Sequence, residues 1–304
     1  MTCVDIIIVN WNSGQQLRDC VDSIIQFSHS LVHKIIVVDN DSTDGSENAL
    51  EGLDNVTLIR AGANLGFAKA CNLGAAQASS EYLLFLNPDV CLFPESLVKA
   101  LEYMQMPESA KVGICGVQLV DENGAAGTSA ARFPTLSVLT GKTLGLAKLL
   151  PSLFPPHFMD SVELNESKVV DQVIGALFLI RKSVFDQCQG FDERFFMYFE
   201  EVDLSLRAKQ LGYSSYFLSD VTAFHKGGGC SEQVKATCLF YTLRSRVLYA
   251  QKHYSALSYA LLIVLTVVEL PLRLVHSVFR RSWSDTKNAL IAYGQLTVYF
   301  LWRD

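Results

Sequence analysis

The run Lys34-Ile35-Ile36-Val37-Val38-Asp39-Asn40-Asp41 decides the fold: an apolar stretch of strand length ends abruptly in three oxygen-bearing side chains. Val4 to Val9 precedes it as a similar stretch ending in Asn10-Trp11-Asn12, and a helical pattern from Gln15 to Phe27 separates the two. A short helix near Gly45 to Leu50 and a strand from Val56 to Ile59 follow. Alternation of this kind is the βαβ rhythm of a parallel sheet. It continues through a Gly/Ala-rich helix from Phe67 to Ala78, the strand Tyr82 to Leu86, and a helix from Pro94 to about Tyr103 with proline in its first turn. In open α/β sheets the functional loops lie beyond the carboxyl ends of the strands. Asn10-Trp11-Asn12, Asp39-Asn40-Asp41 and Asn87-Pro88-Asp89 occupy those ends and are expected to face one crevice.

The chain has 304 residues, half of them hydrophobic and 18% charged, with a formal net charge of -6. Such a composition buries a sizeable core and argues against both disorder and a nucleic-acid platform. Eight cysteines (Cys3, Cys20, Cys71, Cys91, Cys115, Cys188, Cys230 and Cys238) stand singly, with no CxxC pair and no zinc-ligand spacing. They read as small core residues in a reducing compartment. The N-terminus starts directly in a strand pattern without a basic-then-apolar leader, so a cytosolic active site is expected.

After a strand near Val112 to Val120, the pattern loosens into a Gly- and Pro-bearing loop from Asp121 to Asp171 and returns to order at Val173 to Ile180. Long loops inside compact domains tend to be functional. Phe195-Phe196-Met197-Tyr198-Phe199-Glu200-Glu201-Val202-Asp203 then sets three carboxylates on an aromatic run where a helix to about Leu211 begins. Burial among rings and proximity to one another would raise their pKa values, the signature of proton transfer; the ordinary reading is a helix start, with Asp203 and Arg207 as an i,i+4 pair. A strand from Tyr216 to Phe224 ends at His225, before Lys226-Gly227-Gly228-Gly229. From about Thr237 the chain changes character. Ser255 to Val268 is almost wholly apolar but is interrupted by Glu269, Pro271 and Arg273, short of the ~20 residues a spanning helix needs, so interfacial or re-entrant burial is expected over a full crossing. Arg273, Arg280, Arg281 and Trp283 suit a cytoplasmic membrane face, and a pair of core helices is the competing reading.

Several of these positions can carry chemistry. Asp39, at a strand end, can accept hydrogen bonds from a nucleobase N–H or a ribose hydroxyl, although Asp-Asn-Asp-Ser alone is a turn sequence. Asp44 and Glu47 have capping-box spacing. Asn64-Leu65-Gly66-Phe67 joins a polar turn to a helix N-terminus suited to diphosphate oxygens, with Asn72 on that helix. A P-loop and a GxGxxG fingerprint are both missing, which removes support for P-loop hydrolysis and dinucleotide binding. Asn87 and Asp89 present oxygens two residues apart, which suits Mg2+ or Mn2+ bridged to a diphosphate, and His225 can add a nitrogen ligand. Each has an ordinary reading as a turn or hydrogen-bonding residue.

Taken in order, these residues resemble the family 2 glycosyltransferases, especially the bacterial rhamnosyltransferase-like branch of cell-surface polysaccharide assembly. The resemblance is carried by Val9 to Asn12, Val38 to Gly45, Asn64 to Ala68 with Asn72, Leu86 to Asp89, Gly175-Ala176 with Arg181, Gly190 to Glu193, and Tyr198 to Arg207 with His225. It implies an α/β GT-A fold with a Rossmann-like, mostly parallel central sheet flanked by helices. A GT-A domain over 1–236 is expected, with a nucleotide-sugar-binding half over 1–110 and an acceptor and catalytic half over 111–236, followed by a helical membrane-associating extension over 237–304. The implied reaction is metal-dependent inversion. The sugar would come from a nucleotide-sugar donor, dTDP-rhamnose first and a UDP-sugar second, and go to a polyprenyl-diphosphate-linked glycan at the inner face of the cell membrane. The resemblance makes Asp39 the base-recognition aspartate and places Asn10, Trp11, Asn12, Asn40, Asn64, Gly66, Phe67, Asn72 and Asn87 on the substrate. It makes Asp89 the carboxylate of the metal motif and His225 a metal ligand. Its acidic pair falls on Glu200-Glu201, with Glu201 the base and Glu200 its neighbour. Asn87 stands where the metal motif has its first aspartate, and Glu201 where the pair has an aspartate. Those two departures motivate a rival reading, a catalytically weak nucleotide-sugar-binding or scaffolding subunit.

Overall fold

The computed structural model describes residues 4–28, 30–53, 55–227 and 234–302. The elements run β1 (Val4–Asn10), α1 (Gln15–Ser28), β2 (Val32–Asp39), β3 (Val56–Arg60), α2 (Phe67–Ala75), β4 (Tyr82–Leu86), β5 (Val90–Leu92), α3 (Ser96–Gln105), β6 (Val112–Val120), β7 (Ala130–Ala131), α4 (Leu136–Leu144), β8 (Lys168–Val170), β9 (Gln172–Val173), β10 (Leu177–Arg181), α5 (Lys182–Gln187), α6 (Glu200–Gln210), β11 (Ser214–His225), α7 (Lys235–His253), α8 (Ala256–Phe279) and α9 (Trp283–Leu301). They form two compact units, one of Met1–Phe133, Phe158–Glu193 and Glu200–Gly229, the other of Pro134–His157, Arg194–Phe199 and Cys230–Asp304. The division is not a single cut after 236, because two earlier segments join the C-terminal helices.

The first unit is a mixed sheet in the order β3-β2-β1-β4-β10-β6-β11-β5, with β8 added against β11. The β3-β2-β1-β4 half is parallel, in a register that puts Asn10 opposite Asp39. In the other half β6 and β11 are parallel, while β10 enters antiparallel to both β4 and β6, and β5 pairs antiparallel with the end of β11. Strand alternation assigns the two faces. Ile6, Ile8 and Val37 pack with Leu17, Val21 and Ile24 of α1 and Leu97 and Leu101 of α3. Ile7, Val9 and Val38 face the other way, onto Ala70 and Cys71 of α2 and Leu204 and Ala208 of α6. Gly74 lets α2 close on the sheet, since a Cβ there would lie 2.6 Å from Ile7 Cγ2.

Local outcomes differ from the sequence expectations in four places. The Gly45–Leu50 helix is a 3-10 turn, Ser46–Leu50, and α2 ends at Ala75. Pro94 lies outside α3, whose N-cap is Glu95. The loop from 121 to 171 contains β7, β8 and the helix α4, which Thr135 caps by accepting the Val138 N–H. Four of the cysteines (Cys20, Cys71, Cys115 and Cys188) are buried and Cys91 and Cys238 half-buried, all six outside any disulfide, while Cys3 and Cys230 lie outside the described residues.

In the second unit, the interruptions at Glu269, Pro271 and Arg273 do not end α8. It runs 24 residues, about 36 Å at 1.5 Å per residue, with a mean hydropathy of 1.9 over its most apolar 18. By length and composition it can cross a membrane, which corrects the expectation of too short a run. The charges are tolerated because Glu269 pairs with Arg246 of α7 and with Arg273, one turn along its own helix. Leu257, Leu261, Val264, Val268, Leu272 and Val275 form an exposed stripe along α8 at helical spacing.

Candidate active site

Asn10 closes β1 fully buried, and its Nδ2 donates to Asp39 Oδ1 and Ser46 Oγ, both at 2.9 Å, and to Ser42 Oγ at 3.1 Å. Asp39 Oδ2 accepts the Ser42 N–H at 3.3 Å. Asn12, left-handed at φ 50°, gives its amide oxygen to the Thr43 N–H at 2.7 Å, while Asp41 turns the β2 loop at φ 68°. Asp44 does not cap as a box would. It accepts from Ser46 and, at 2.8 Å, from the Gly14 N–H, and those hydrogen bonds hold its pKa below the usual carboxylate value against the opposing effect of burial. The loops after β1 and β2 are thereby locked together.

Asn40 extends the mesh to the next loop. Its Nδ2 donates to Asn64 Oδ1 at 2.9 Å and its Oδ1 accepts the Leu65 N–H at 2.8 Å, so Asn64, Gly66 and Phe67 reach the start of α2 in a turn set from β2. Asn72 behaves differently from the sequence expectation. Its amide bonds Phe191 on both sides (N–H to Oδ1 and Nδ2 to O, each 2.9 Å) and Glu193 at 3.1 Å, so it anchors the 190–193 loop. Arg207, paired with the fully buried Asp203 at 2.7 Å, holds the same loop through the Gly190 carbonyl at 2.9 Å and the Cys188 carbonyl.

Asn87-Pro88-Asp89 makes the turn from β4 to β5, closed by the Val90 N–H on the Asn87 carbonyl at 3.1 Å. Because β5 pairs with the end of β11, His225 falls opposite Val90 and its Nε2 lies 3.5 Å from Asp89 Oδ2. Both side chains are largely buried, at 20% and 11% exposure. A carboxylate oxygen and an imidazole nitrogen converging in this way suit one divalent cation whose remaining positions go to water and phosphate oxygens. Among the described residues no set of three His, Cys, Asp or Glu side chains gathers, which leaves Asp89 and His225 as the candidate pair.

The Asn87 N–H donates to the Ala176 carbonyl at 2.9 Å, and the preceding Gly175 lies against Glu201, whose Cγ would be 3.4 Å from a Cβ added there. This contact places the acid beside the β4 turn. Glu200 and Glu201 open α6 after a backbone left-handed at both Tyr198 (φ 66°) and Phe199 (φ 71°), a conformation bulky residues adopt at a cost of about 1–3 kcal/mol. One oxygen of each carboxylate is buried without a hydrogen-bond partner. Burial drives the pKa of both above the ordinary glutamate value, and the Glu201 charge adds to the rise at Glu200. The sequence did not single out Ser46, Arg207's grip on the 188–190 carbonyls, or the Ala176 link to Asn87, because each acts through a contact distant in the chain. Gly228 and Gly229, after His225, lie outside the described residues.

A family model described as "Glycosyl transferase family 2" matches residues 5–188. The N-acetylglucosaminyl-diphospho-decaprenol L-rhamnosyltransferase of Mycobacterium tuberculosis is 29% identical over 238 residues, 72% of this chain and 75% of that protein. The rhamnosyltransferase WbbL of Escherichia coli K12 is 30% identical over 205 residues, 64% of this chain and 71% of its own length. Among solved structures, a mannosyltransferase from Pyrobaculum calidifontis in complex with GDP-Man and Mn2+ superposes with a TM-score of 0.57 at 14% identity, covering 98% of this chain and 87% of that one. At that identity the likeness establishes the fold, which is GT-A.

Proposed function

The chain belongs to glycosyl transferase family 2, and from that premise we propose that it moves rhamnose from dTDP-rhamnose, with a UDP-sugar as second choice, to a hydroxyl of a polyprenyl-diphosphate-linked glycan, with inversion at the anomeric carbon. The observation that carries this reading is the Gly175-Ala176 contact, which sets the Glu201 carboxylate beside the Asn87–Asp89 turn. Acid and leaving-group site would then lie together where the adjacent central strands β4 and β10 meet. Names of the two rhamnosyltransferase relatives support the sugar, and the M. tuberculosis name supports a lipid-diphosphate acceptor.

In this mechanism Asp39 accepts from the nucleobase or ribose while Asn10 and Ser42 hold its carboxylate in place. Asn12, Trp11, Asn40, Asn64, Gly66, Phe67 and Asn87 line the donor side, and Asn72 contributes by fixing the 190–193 loop. Asp89 and His225 would hold Mg2+ or Mn2+; when bound, such an ion neutralises charge on the departing nucleoside diphosphate. Glu201 takes the proton of the acceptor hydroxyl as its oxygen bonds to the anomeric carbon, the bond to the diphosphate breaking on the opposite face. A base whose pKa is lifted toward the working pH is the better proton acceptor. Glu200, buried beside Glu201, has its own pKa raised by that burial and by the Glu201 charge.

The exposed stripe on α8, with Arg280, Arg281 and Trp283 at its end, supports docking on the inner face of an anionic membrane. Incubation of the full chain with a panel of nucleotide-sugars and lipid-linked acceptors, read by mass spectrometry of product, tests the whole reading. The expected product gains one deoxyhexose from dTDP-rhamnose; nucleotide binding without product from any acceptor would support the scaffolding alternative instead.

A further inference from the structure

Two left-handed residues lead into the acid pair, and neither is glycine: Tyr198 at φ 66° and Phe199 at φ 71°. Such backbone persists only where surrounding contacts over-determine it. Here one helix supplies them. The Phe196 ring stacks on Tyr241, with centroids 4.4 Å apart and planes inclined by 12°. The Met197 carbonyl accepts the Ser245 hydroxyl at 2.8 Å. The Phe199 ring lies against Tyr249, with centroids 5.6 Å apart. Tyr241, Ser245 and Tyr249 are four residues apart, which places them on one face of α7, and the run meets them in chain order along about 12 Å of helix. These contacts all lie inside the second unit, and the peptide bond from Phe199 to Glu200 leads out of it.

Ser245 separates a built device from ordinary helix packing. Hydroxyls inside helices commonly bond back to the carbonyl four residues earlier, as Thr242 does to Cys238, Thr266 to Leu262 and Thr297 to Tyr293. Ser245, fully buried, has one hydroxyl proton to give and gives it to Met197 instead. We infer that Ser245 is a positioning residue for the acid pair, its hydroxyl holding the Met197 carbonyl so that Tyr198 and Phe199 keep the turn from which α6 starts at Glu200. This rests on the reading of Glu201 as the base and adds to it a residue that acts through the backbone. Without the hydrogen bond the Met197 carbonyl is released, the left-handed pair can relax, and the first turn of α6 shifts with it. Even ~1 Å of misplacement at a reacting group can cost ~10²-fold in rate.

Ser245→Ala in the full chain tests the inference, with Thr242→Val as the control that removes a hydroxyl bonded within α7. Alanine suits a helix interior, so folding is retained, which an unfolding midpoint close to that of the control checks. Ser245→Ala is expected to lower kcat about tenfold with the donor KM unchanged. The acid limb of kcat/KM should move toward the ordinary glutamate value, since an acid released from burial ionises more readily. Hydrogen exchange read by mass spectrometry should be faster across 196–202 in Ser245→Ala and unchanged there in Thr242→Val. Wild-type kcat and exchange in Ser245→Ala overturn the inference. So does an acid limb that stays put, a loss carried by donor KM, or an equal loss in Thr242→Val, which would mark a general loosening of α7. Failure of the base reading shows separately: Glu201→Gln then keeps its turnover, while faster exchange across 196–202 in Ser245→Ala still supports the hold on the run.

Discussion

Asp39 and Glu201 are both carboxylates of the first unit, yet one is held by hydrogen bonds at each oxygen while the other has an oxygen that nothing reaches. Asp39 takes bonds from Asn10 and the Ser42 N–H, within a mesh running through Ser46, Asn12 and Asn40 to the turn before α2. Glu201 sits at a helix start reached through two left-handed aromatic residues, with burial pushing its pKa up. On the proposed reading, the donor side is therefore built for fixed position and the acid side for proton affinity. Satisfied polar networks rigidify a site, whereas an unpaired buried carboxylate keeps its proton more tightly than water would allow.

The sharpest way to break the contrast is Glu201→Gln, which keeps the shape and removes the proposed base. Turnover should fall about 10²- to 10⁴-fold with the donor KM little changed. In wild type the acid limb of kcat/KM should lie above the ordinary glutamate value, because the base must be ionised and burial raises the pH at which that happens. Near-normal turnover of the glutamine variant would remove Glu201 from the chemistry.

Asp203→Ala comes next and acts on stability. It strands Arg207 beside a buried site, at a cost of roughly 3–5 kcal/mol by denaturant unfolding. Loss of Arg207's hold on the Gly190 carbonyl should also loosen the loop that Asn72 anchors, seen as faster amide exchange at Phe191. An exchange rate equal to wild type would separate the loop from the ion pair.

Asn10→Ala probes the Asp39 side. It leaves Asp39 Oδ1 and two serine hydroxyls without their shared donor, so a loss of about 1–3 kcal/mol is expected together with a higher donor KM and a kcat near wild type. A fall in kcat alone would mean that the mesh serves the acid rather than the donor.

The two sides were legible in the sequence to different degrees. Strand ends such as Val38-Asp39 announce themselves because apolar runs stop at a polar residue, and the parallel register then brings Asn10 to Asp39 without further information. The pairing of Asp203 with Arg207 was also readable, being four residues apart on one helix. Contacts such as Ala176 with Asn87 or Asn72 with Phe191 depend on how β10 and α5 return to the sheet, and the antiparallel entry of β10 follows a long irregular stretch that carries no periodic signal. Helix α8 was read as too short because Glu269 and Arg273 look like terminators in isolation; their partner Arg246 lies more than 20 residues earlier, in another helix. Asn72 was read toward the donor because its helix starts there, although an amide one turn further on points to whatever packs beside it.

Glu200→Gln should give the smallest effect and test the contrast most directly. Glu200 is 6% exposed, and burial followed by the Glu201 charge raises its folded pKa well above the unfolded value, so the native state favours its protonated form. Stability from this group is fully present below the unfolded pKa near 4.5 and is lost as pH rises through the raised folded pKa. Glutamine copies the protonated acid at every pH. Variant and wild type should therefore melt together at pH 4, diverge as pH climbs, and differ at alkaline pH by a few degrees, about what 1 kcal/mol gives in a domain of this size, with the variant the more stable. Turnover near neutrality should change little, since glutamine keeps the shape of the side chain beside Glu201. A variant less stable than wild type at high pH would mean that Glu200 works ionised, and the burden of unpaired charge would then fall on both acids equally.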